Sequence, residues 1–398
     1  MVANRARSFR PSQATGARLV IPIAMPVLDA TEANVARDAV LSGWVSQGPQ
    51  VLAFEQEFAA LVGAPYACAV SNCTTALHLA LLAVGIQPGD EVITASHSFI
   101  ASANSIRYCG ATPVFVDIDP ATYNLDPDRV AEAITERTRA ILAVHQMGMP
   151  CDLPALTALA KRHGIVLIED AACAAGSQIN INGTWDAIGK PHGEIACFSF
   201  HPRKVITTGE GGMLTTASAD FAQKFKLSRQ HGMSVPDTVR HGSPQVIFED
   251  YLSVGFNYRM TDMQAAIGRK QLERLPDIIL RRRPLAARYA DLLGNIEGLI
   301  LPFEPKWARS NWQSYCVRLP DRVDQKAVMQ SLLDQGIATR RGIMCAHREA
   351  PYRDEPLRHS LKESEHAQDH AILLPIYAQM TDDDLVRVAD AVRAEING

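Results

Sequence analysis

The sequence of 398 residues lacks both a strong excess of charge of one sign and a long hydrophobic run. Its 39 Lys and Arg residues oppose 43 Asp and Glu residues, which leaves a formal net charge of -4. Binding to nucleic acid or to an anionic membrane needs a basic excess, so neither partner is predicted. No apolar stretch approaches the roughly 20 residues that cross a bilayer. The remaining composition, 47% hydrophobic and 21% charged, is typical of a globular chain with one large and one smaller domain.

Paired cysteines are missing as well. The eight cysteines are scattered, none forms a CxxC pair, and most lie in apolar runs, as Cys197 does in Ile195-Ala196-Cys197-Phe198. Buried free thiols in a reducing cytoplasm explain this pattern better than disulfides or zinc, so we predict a cytoplasmic protein without a metal site. Residues 1–18 are polar and basic without an apolar segment, which predicts a disordered tail and not a signal peptide.

Short apolar runs alternate with amphipathic stretches through the first two-thirds of the chain. The apolar runs are nearly continuous, as in strands that are buried on both faces of a parallel sheet. The alternation therefore predicts an α/β fold with a large, mostly parallel sheet between helices. The predicted strands are 67–70, 91–94, 112–116, 140–144, 166–168, 196–200 and 212–215, and the predicted helices are 74–84, 100–108, 127–136 and 153–162. Ligands of such sheets bind at the carboxyl ends of the strands.

The pattern changes after Met260. A long helical pattern covers 261–293, and shorter strand-like and helical pieces follow it. We therefore predict a large domain over 19–260, and a linking helix with a smaller α+β domain over 261–398. The strand-like pieces are 314–319 and 337–339, and the helical pieces are 325–335 and 382–394.

Two carboxylates end one predicted strand, in Ile165-Val166-Leu167-Ile168-Glu169-Asp170. Because Asp170 lies where ligands bind, its carboxylate could hold a cationic ring nitrogen. An aspartate that caps the next helix is an equally good interpretation of this motif alone.

A single lysine follows another predicted strand, in Phe198-Ser199-Phe200-His201-Pro202-Arg203-Lys204, and a glycine-rich turn follows at Gly209-Glu210-Gly211-Gly212. A lysine held over a cofactor pocket can lose its proton through desolvation and attack an aldehyde. Glycines allow close backbone approach and positive φ. Taken alone, the motif also fits a surface lysine in a hairpin.

A third motif, Val70-Ser71-Asn72-Cys73-Thr74-Thr75, is a strand end followed by a helix start. Free amides and hydroxyls at a helix N-terminus form a site suited to a phosphate, although a plain helix cap looks the same. A phosphate site, a carboxylate for a ring nitrogen and a nucleophilic lysine are together the parts that hold pyridoxal phosphate (PLP). The combination favours a PLP enzyme.

The chain resembles the DegT/DnrJ/EryC1/StrS family of sugar aminotransferases, which have the aspartate aminotransferase fold (PLP-dependent fold type I). The resemblance extends from about Ile21 to Ile396, and Ser199-Phe200-His201 with Lys204 and the glycine turn is its most diagnostic part. The other matching segments are 43–49, 71–79, 169–172, 255–260 with 264–266, and 374–377. The fold that it implies has a large seven-stranded sheet domain and a smaller C-terminal α+β domain.

The resemblance implies roles for cofactor-binding residues. Lys204 would carry PLP as a Schiff base and shuttle the proton, and Asp170 would pair with the pyridine nitrogen. The phosphate would be bound by Cys73, Thr74 and Ser199. Phe99 would stack on the ring. Asn257 would reach the phosphate of the partner subunit's cofactor, so the resemblance implies a homodimer with shared active sites.

The family's substrate-facing histidine corresponds to His347, and nearby Arg340 is a candidate contact for a diphosphate, with a solvent-facing arginine as the alternative. The sequence departs from the family at Cys73, where Gly is usual, and at Cys173, where Gln or His usually contacts the ring. The stretch 339–347 also lacks the usual tyrosines and prolines.

The resemblance implies amino transfer from L-glutamate to a nucleotide-linked 3- or 4-keto-hexose. Sugar dehydration on the same fold is one alternative, but family members that dehydrate carry His in place of Lys204. A non-catalytic regulator is another, and the intact set of Lys204, Asp170, Ser199 and Asn257 argues against it. A cyclitol aminotransferase remains open, because cyclitol ketones resemble sugars without the nucleotide.

Overall fold

All seven predicted strands form in the computed structural model, which describes residues 20–235, 239–240 and 243–397. The predicted tail at 1–18 lies outside the described residues. The strands are β1 Tyr66–Val70, β2 Glu91–Ala95, β3 Thr112–Val116, β4 Thr138–Val144, β5 Val166–Asp170, β6 Gln178–Ile181, β7 Thr184–Ala187, β8 Ile195–Ser199, β9 Gly212–Thr216, β10 Ala308–Arg309, β11 Tyr315–Arg318, β12 Arg340–Arg341 and β13 Ala371–Leu374.

The main sheet has seven strands in the order β1-β9-β8-β5-β4-β2-β3. β9 runs antiparallel to both of its neighbours, and the other adjacent pairs are parallel. The prediction of a large, mostly parallel sheet in an α/β fold is confirmed. A parallel sheet buries both faces, and that is why its strands are nearly continuous apolar runs in the sequence.

Helices cover the sheet on both faces because successive strand residues point to opposite sides. Ile141 and Ala143 of β4 lie in one hydrophobic core, while Ala140 and Leu142 lie in another. The helices are α1 Ala30–Leu41, α2 Pro49–Val62, α3 Cys73–Ala83, α4 Ala101–Tyr108, α5 Pro127–Ala133, α6 Leu153–His163, α7 Ala219–Ser228, α8 Asp262–Leu293, α9 Gln325–Asp334, α10 Lys362–His370 and α11 Asp382–Asn397. In the described ranges no helix is apolar over a membrane-spanning length.

The long helix α8 begins at a junction that also fixes the start of α2. Thr261 and Gln264 form a capping box, with side chain and backbone bonded in both directions. The buried carboxylate of Asp262 accepts hydrogen bonds from the amides of Gly48 (2.7 Å) and Val51 (3.0 Å) at the start of α2. One anion thus satisfies amides that the helix leaves free.

A second core lies around the small sheet β11-β13-β12 and α11. Ile21 joins this core and pairs with Ile337, so the beginning of the described chain packs with its C-terminal part. The strand expected at 337–339 is found instead at Arg340–Arg341, because that is where the chain meets β13. The division at residue 260 stays a prediction.

Candidate active site

Three sequence motifs meet at the carboxyl edge of the main sheet. Asp170 ends β5, and Ser199 ends β8. Because β9 is antiparallel, its first residue lies at the same edge: Gly212 pairs with both Val70 of β1 and Ser199 of β8. Val70 leads into the helix start at Cys73. The topology therefore gathers the carboxylate, the lysine loop and the helix N-terminus.

The two carboxylates of β5 have separate partners. Glu169 is fully buried and pairs with His145 at 3.0 Å, so it belongs to the interior of the fold. Asp170 is 4% exposed; its Oδ2 accepts from Ser102 Oγ at 2.8 Å and its Oδ1 accepts from the amide of Ala172 at 3.1 Å. Burial raises the pKa of Asp170, and these two hydrogen bonds oppose that effect. Each oxygen keeps a lone pair for a further donor.

Lys204 lies in the loop between β8 and β9 and is partly buried. Its Nζ donates to Cys173 Sγ at 3.1 Å. Burial lowers the pKa of the Lys204 ammonium, but Cys173, Cys73 and Asp170 outweigh burial and leave the pKa raised. Those interactions also show that the four side chains are neighbours. The Lys204–Cys173 contact is a consequence of the departure at Cys173.

The first turn of α3 approaches this group closely. Asn72 caps the helix by accepting from the amide of Thr75 at 2.9 Å. The helix provides no acceptor for the amides of Cys73 and Thr74, as for any first turn. A side chain at Gly212 would place its Cβ 2.4 Å from Asn72 O, so a glycine is required there. In the preceding turn, Gly209 has a φ of +83°.

The other predicted cofactor residues lie at varied depths. Ser199 is 9% exposed, and Thr74 is partly buried. Phe99 follows β2 and is 69% exposed. Asn257 is exposed and forms an isolated bridge with Gln230. Within the described part of the chain, neither Phe99 nor Asn257 is enclosed by other residues.

His347 is buried, and both of its ring nitrogens are engaged. Its Nδ1 lies 2.6 Å from Ser96 Oγ, and its Nε2 lies 3.1 Å from Glu365 Oε1. Ser96 directly follows β2, so this histidine is tied to the same edge of the sheet as Asp170.

Arg340 is exposed on β12, and Arg203 is a neighbouring arginine. Burial, and then the charge of Arg340, lower the pKa of Arg203. Arg203 Nε is shielded from solvent without a hydrogen-bond partner in the described chain. Over the described ranges Arg203 and Arg340 form no ion pair with a carboxylate, whereas Arg341 pairs with Glu349.

Sequence reasoning missed Ser102, Glu365 and Arg203. Ser102 is an ordinary serine in the first turn of α4, and Glu365 is an ordinary glutamate on a polar helix. Arg203 carried the only signal, its position beside Lys204. Ser102 and Glu365 gain their positions from contacts across the fold.

The residues present fit PLP. A buried carboxylate suits a ring nitrogen that carries a proton, an amine beside it suits an aldehyde, and a first helical turn with free amides suits a phosphate. The fold and the site together define a PLP-dependent aminotransferase.

Comparison with known proteins agrees with that class. Residues 26–393 match the model of the DegT/DnrJ/EryC1/StrS aminotransferase family, and the chain belongs to this family. It is 40% identical to GDP-perosamine synthase of Caulobacter vibrioides over 379 residues, which cover 94% of this chain and 97% of that protein.

Solved structures give the same result. DesI, solved in the presence of its TDP-sugar product, is 33% identical with a TM-score of 0.83, and the match covers 94% of this chain and 92% of that one. The PLP form of Spr1654 from Streptococcus pneumoniae is 25% identical with a TM-score of 0.86, and the match covers 95% and 99% of the two chains. The protein is a PLP-dependent sugar aminotransferase.

Proposed function

We propose that this protein transfers an amino group from L-glutamate to a nucleotide-linked 3- or 4-keto-hexose, with its cofactor attached to Lys204. The observation that supports the proposal is the meeting of Lys204, Asp170 and the first turn of α3 at one edge of the sheet. PLP, when bound there, supplies an electron sink for the amino-bearing carbon.

The side chains of the chain supply binding and proton transfer. Lys204 Nζ would hold the cofactor covalently; once the incoming amine of the substrate has displaced it, its free amine would take a proton from the substrate carbon and return one. The Asp170 carboxylate would keep the ring nitrogen protonated, because separating that proton from a buried anion would be costly. Ser102 orients the carboxylate for this contact.

The first turn of α3 would hold the phosphate in this proposal. The amides of Cys73 and Thr74 would donate to it, with Ser199 Oγ from the end of β8, and the helix dipole would favour its negative charge. Phe99 would cover one face of the ring. Cys173 lies beside Lys204 and takes the place of the polar side chain that usually contacts the ring.

We infer a homodimer in which Asn257 contacts the partner subunit's cofactor. Asn257 is exposed, and the segment before it exposes large apolar side chains: Val246 (85%), Phe248 (88%) and Val254 (90%). Such a group of exposed apolar residues is typical of a protein interface.

A mixing experiment tests the shared site. Lys204→Ala chains and Asn257→Ala chains are each expected to be inactive, and their mixed dimer should regain activity, because one of its sites carries both lesions and the other neither. If activity does not return although subunit exchange is verified, each chain builds its own site.

The substrate proposal rests on the family and on two cationic side chains. GDP-perosamine synthase is named for a nucleotide-linked sugar, and DesI was solved in the presence of its TDP-sugar product. Arg203 directly precedes Lys204 and has Arg340 as a neighbouring cation, and a diphosphate would neutralise both arginines. In this proposal His347, held by Ser96 and Glu365, faces the substrate. The eight free thiols support a reducing compartment, and we place the protein in the cytoplasm.

A spectroscopic experiment tests the function. Borohydride reduction and peptide mapping should find the cofactor on Lys204; a tag on another lysine would refute the site. L-glutamate should convert the bound cofactor to its amino form, and GDP- or TDP-linked keto-sugars should convert it back. Recovery with a free keto-cyclitol or a 2-keto acid, but with no nucleotide sugar, would refute the sugar proposal and leave an aminotransferase.

A further inference from the structure

Two histidines lie one turn apart on helix α10. His366 and His370 are at positions i and i+4, so they face the same side of the helix. Asp321 approaches them from the loop after β11. Strand pairing explains the approach: Arg318, at the end of β11, pairs with Ala371, which directly follows His370. The amide of Leu319 then donates to His370 O at 2.9 Å, so the loop starts beside the end of the helix.

The three side chains converge on one another. His366 Nε2 lies 2.9 Å from Asp321 Oδ1, and the two imidazole rings have their centroids 4.5 Å apart. One ligand atom from each of the three residues lies within 4.8 Å of the others. His370 Nδ1 is shielded from solvent and has no hydrogen-bond partner in the ranges that the structure describes.

We propose that Asp321, His366 and His370 bind a divalent transition-metal ion, with Zn²⁺ as the best fit. Two imidazoles and one carboxylate are ligands that Zn²⁺ prefers, and three protein ligands leave one position of a tetrahedron for water. The carboxylate of Asp321 is 79% exposed, so water can reach that position. Mg²⁺ and Ca²⁺ prefer oxygen ligands and fit this set poorly.

The scattered cysteines predicted a protein without a metal site. No cysteine takes part in this cluster, and Asp321 and His366 are 45 residues apart in the sequence. A plain His–Asp pair is the alternative for two of the three residues. A simple His366–Asp321 pair does not explain why the ring of His370 lies against that of His366. Arg318 is a neighbouring cation that limits the affinity we expect.

A metal at this position would fasten α10 to the small sheet. The same helix carries Glu365, which engages His347, and Asp369, which accepts from Arg348 at 2.7 Å. A bound ion would therefore steady the helix that holds His347. Only this consequence rests on the proposed function, and metal binding itself does not depend on it.

The test uses untagged, PLP-loaded protein that has been treated with a chelator and dialysed. Titration calorimetry with Zn²⁺ should show one ion bound per chain, Mg²⁺ should give no binding heat, and Zn²⁺ should raise the melting temperature. His366→Gln and His370→Gln should each weaken Zn²⁺ binding about tenfold or more, since even the outer partners of metal ligands contribute that much. His163→Gln is the matched control, an exposed histidine at the end of α6, and should bind as the unaltered protein does.

Two outcomes would overturn the proposal. One is a lack of Zn²⁺ binding by the unaltered protein. The other is binding that the His366 and His370 variants retain in full, which would assign the ion elsewhere, for example to Cys173. Circular dichroism checks that the variants fold, and Asp321→Asn, at a highly exposed position, provides a third variant that should also weaken binding. If the unaltered protein binds Zn²⁺ but does not aminate a nucleotide-linked keto-sugar, the proposed function is wrong and the metal-site proposal is unaffected.

Discussion

Ser102→Ala tests whether the buried carboxylate at the end of β5 is oriented by its neighbour. Ser102 is 2% exposed and Asp170 is 4% exposed, and the hydrogen bond between Ser102 Oγ and Asp170 Oδ2 is 2.8 Å long. Alanine removes the donor and leaves a small void. The substitution removes no group that would touch the cofactor, so a positioning effect is measured.

The magnitude follows from the burial of both partners. A hydrogen bond to a charged group contributes about 1.5–3 kcal/mol. If that stabilisation is fully expressed during turnover, kcat falls by about ten- to 150-fold. In the cofactor-free protein the same loss raises the pKa of Asp170, because the Ser102 hydrogen bond opposes the effect of burial. The rise is at most about one to two pH units, at 1.36 kcal/mol per unit.

The pH dependence has a definite sign. A carboxyl whose pKa is higher in the folded than in the unfolded state makes folding less favourable as pH rises through that range. Ser102→Ala should therefore cost the cofactor-free protein more stability at neutral pH than at acidic pH, where Asp170 is protonated in both states. Urea unfolding at the two pH values measures the difference.

Ser105→Ala is the control for this experiment. Ser105 is equally buried on the same helix, but it donates to Ser102 O at 2.8 Å and not to Asp170. We expect it to lower stability without the pH dependence and with near-normal kcat. The positioning role would be refuted if both substitutions changed kcat equally. It would also be refuted if the loss of unfolding free energy caused by Ser102→Ala were the same at both pH values.

Three further predictions address the fold and the site. Arg229→Met leaves the buried Glu55 charge without its partner and should destabilise the protein by about 3–5 kcal/mol in urea unfolding; adding Glu55→Gln should restore part of that loss. Gly212→Ala forces a Cβ into the first turn of α3 and should weaken PLP binding in an absorbance titration while β9 still forms; unchanged affinity would contradict the close approach. Cys173→Ala should lower the pKa of Lys204, since Cys173 raises it, so the cofactor-free enzyme should recombine with PLP faster at neutral pH; a slower rate would contradict this.

The main sheet could be predicted because each of its strands has its own pattern of apolar residues within a short stretch of sequence. Strands such as Thr112–Val116 are short apolar runs between helical patterns, and burial on both faces makes each run apolar throughout. The small sheet was harder. Ala371–Leu374 directly follows a helix, and its apolar run before Pro375 did not predict a strand. The two-residue strand Arg340–Arg341 exists only because it meets this neighbour.

The three sequence motifs together indicated a PLP enzyme, and the resemblance to the DegT/DnrJ/EryC1/StrS family added the expectation of amino transfer. Lys204 with its glycine turn, Asp170 at a strand end and the start of α3 each stand where a strand stops, and a parallel sheet brings strand ends to one edge. Residue order along the chain was sufficient to infer a PLP enzyme, since these groups are the ones that hold PLP.

Only the tertiary structure decided which neighbours each group has. Glu169 and Asp170 are adjacent in sequence, yet one pairs with His145 inside the fold and the other faces the site. Ser102 and Glu365 became partners of Asp170 and His347 through contacts between distant segments. Asp321 met His366 and His370 through the register of β11 and β13. Hydrogen bonds and ion contacts depend on distances of a few ångströms, and strand register and helix rotation set those distances without leaving a local pattern in the sequence.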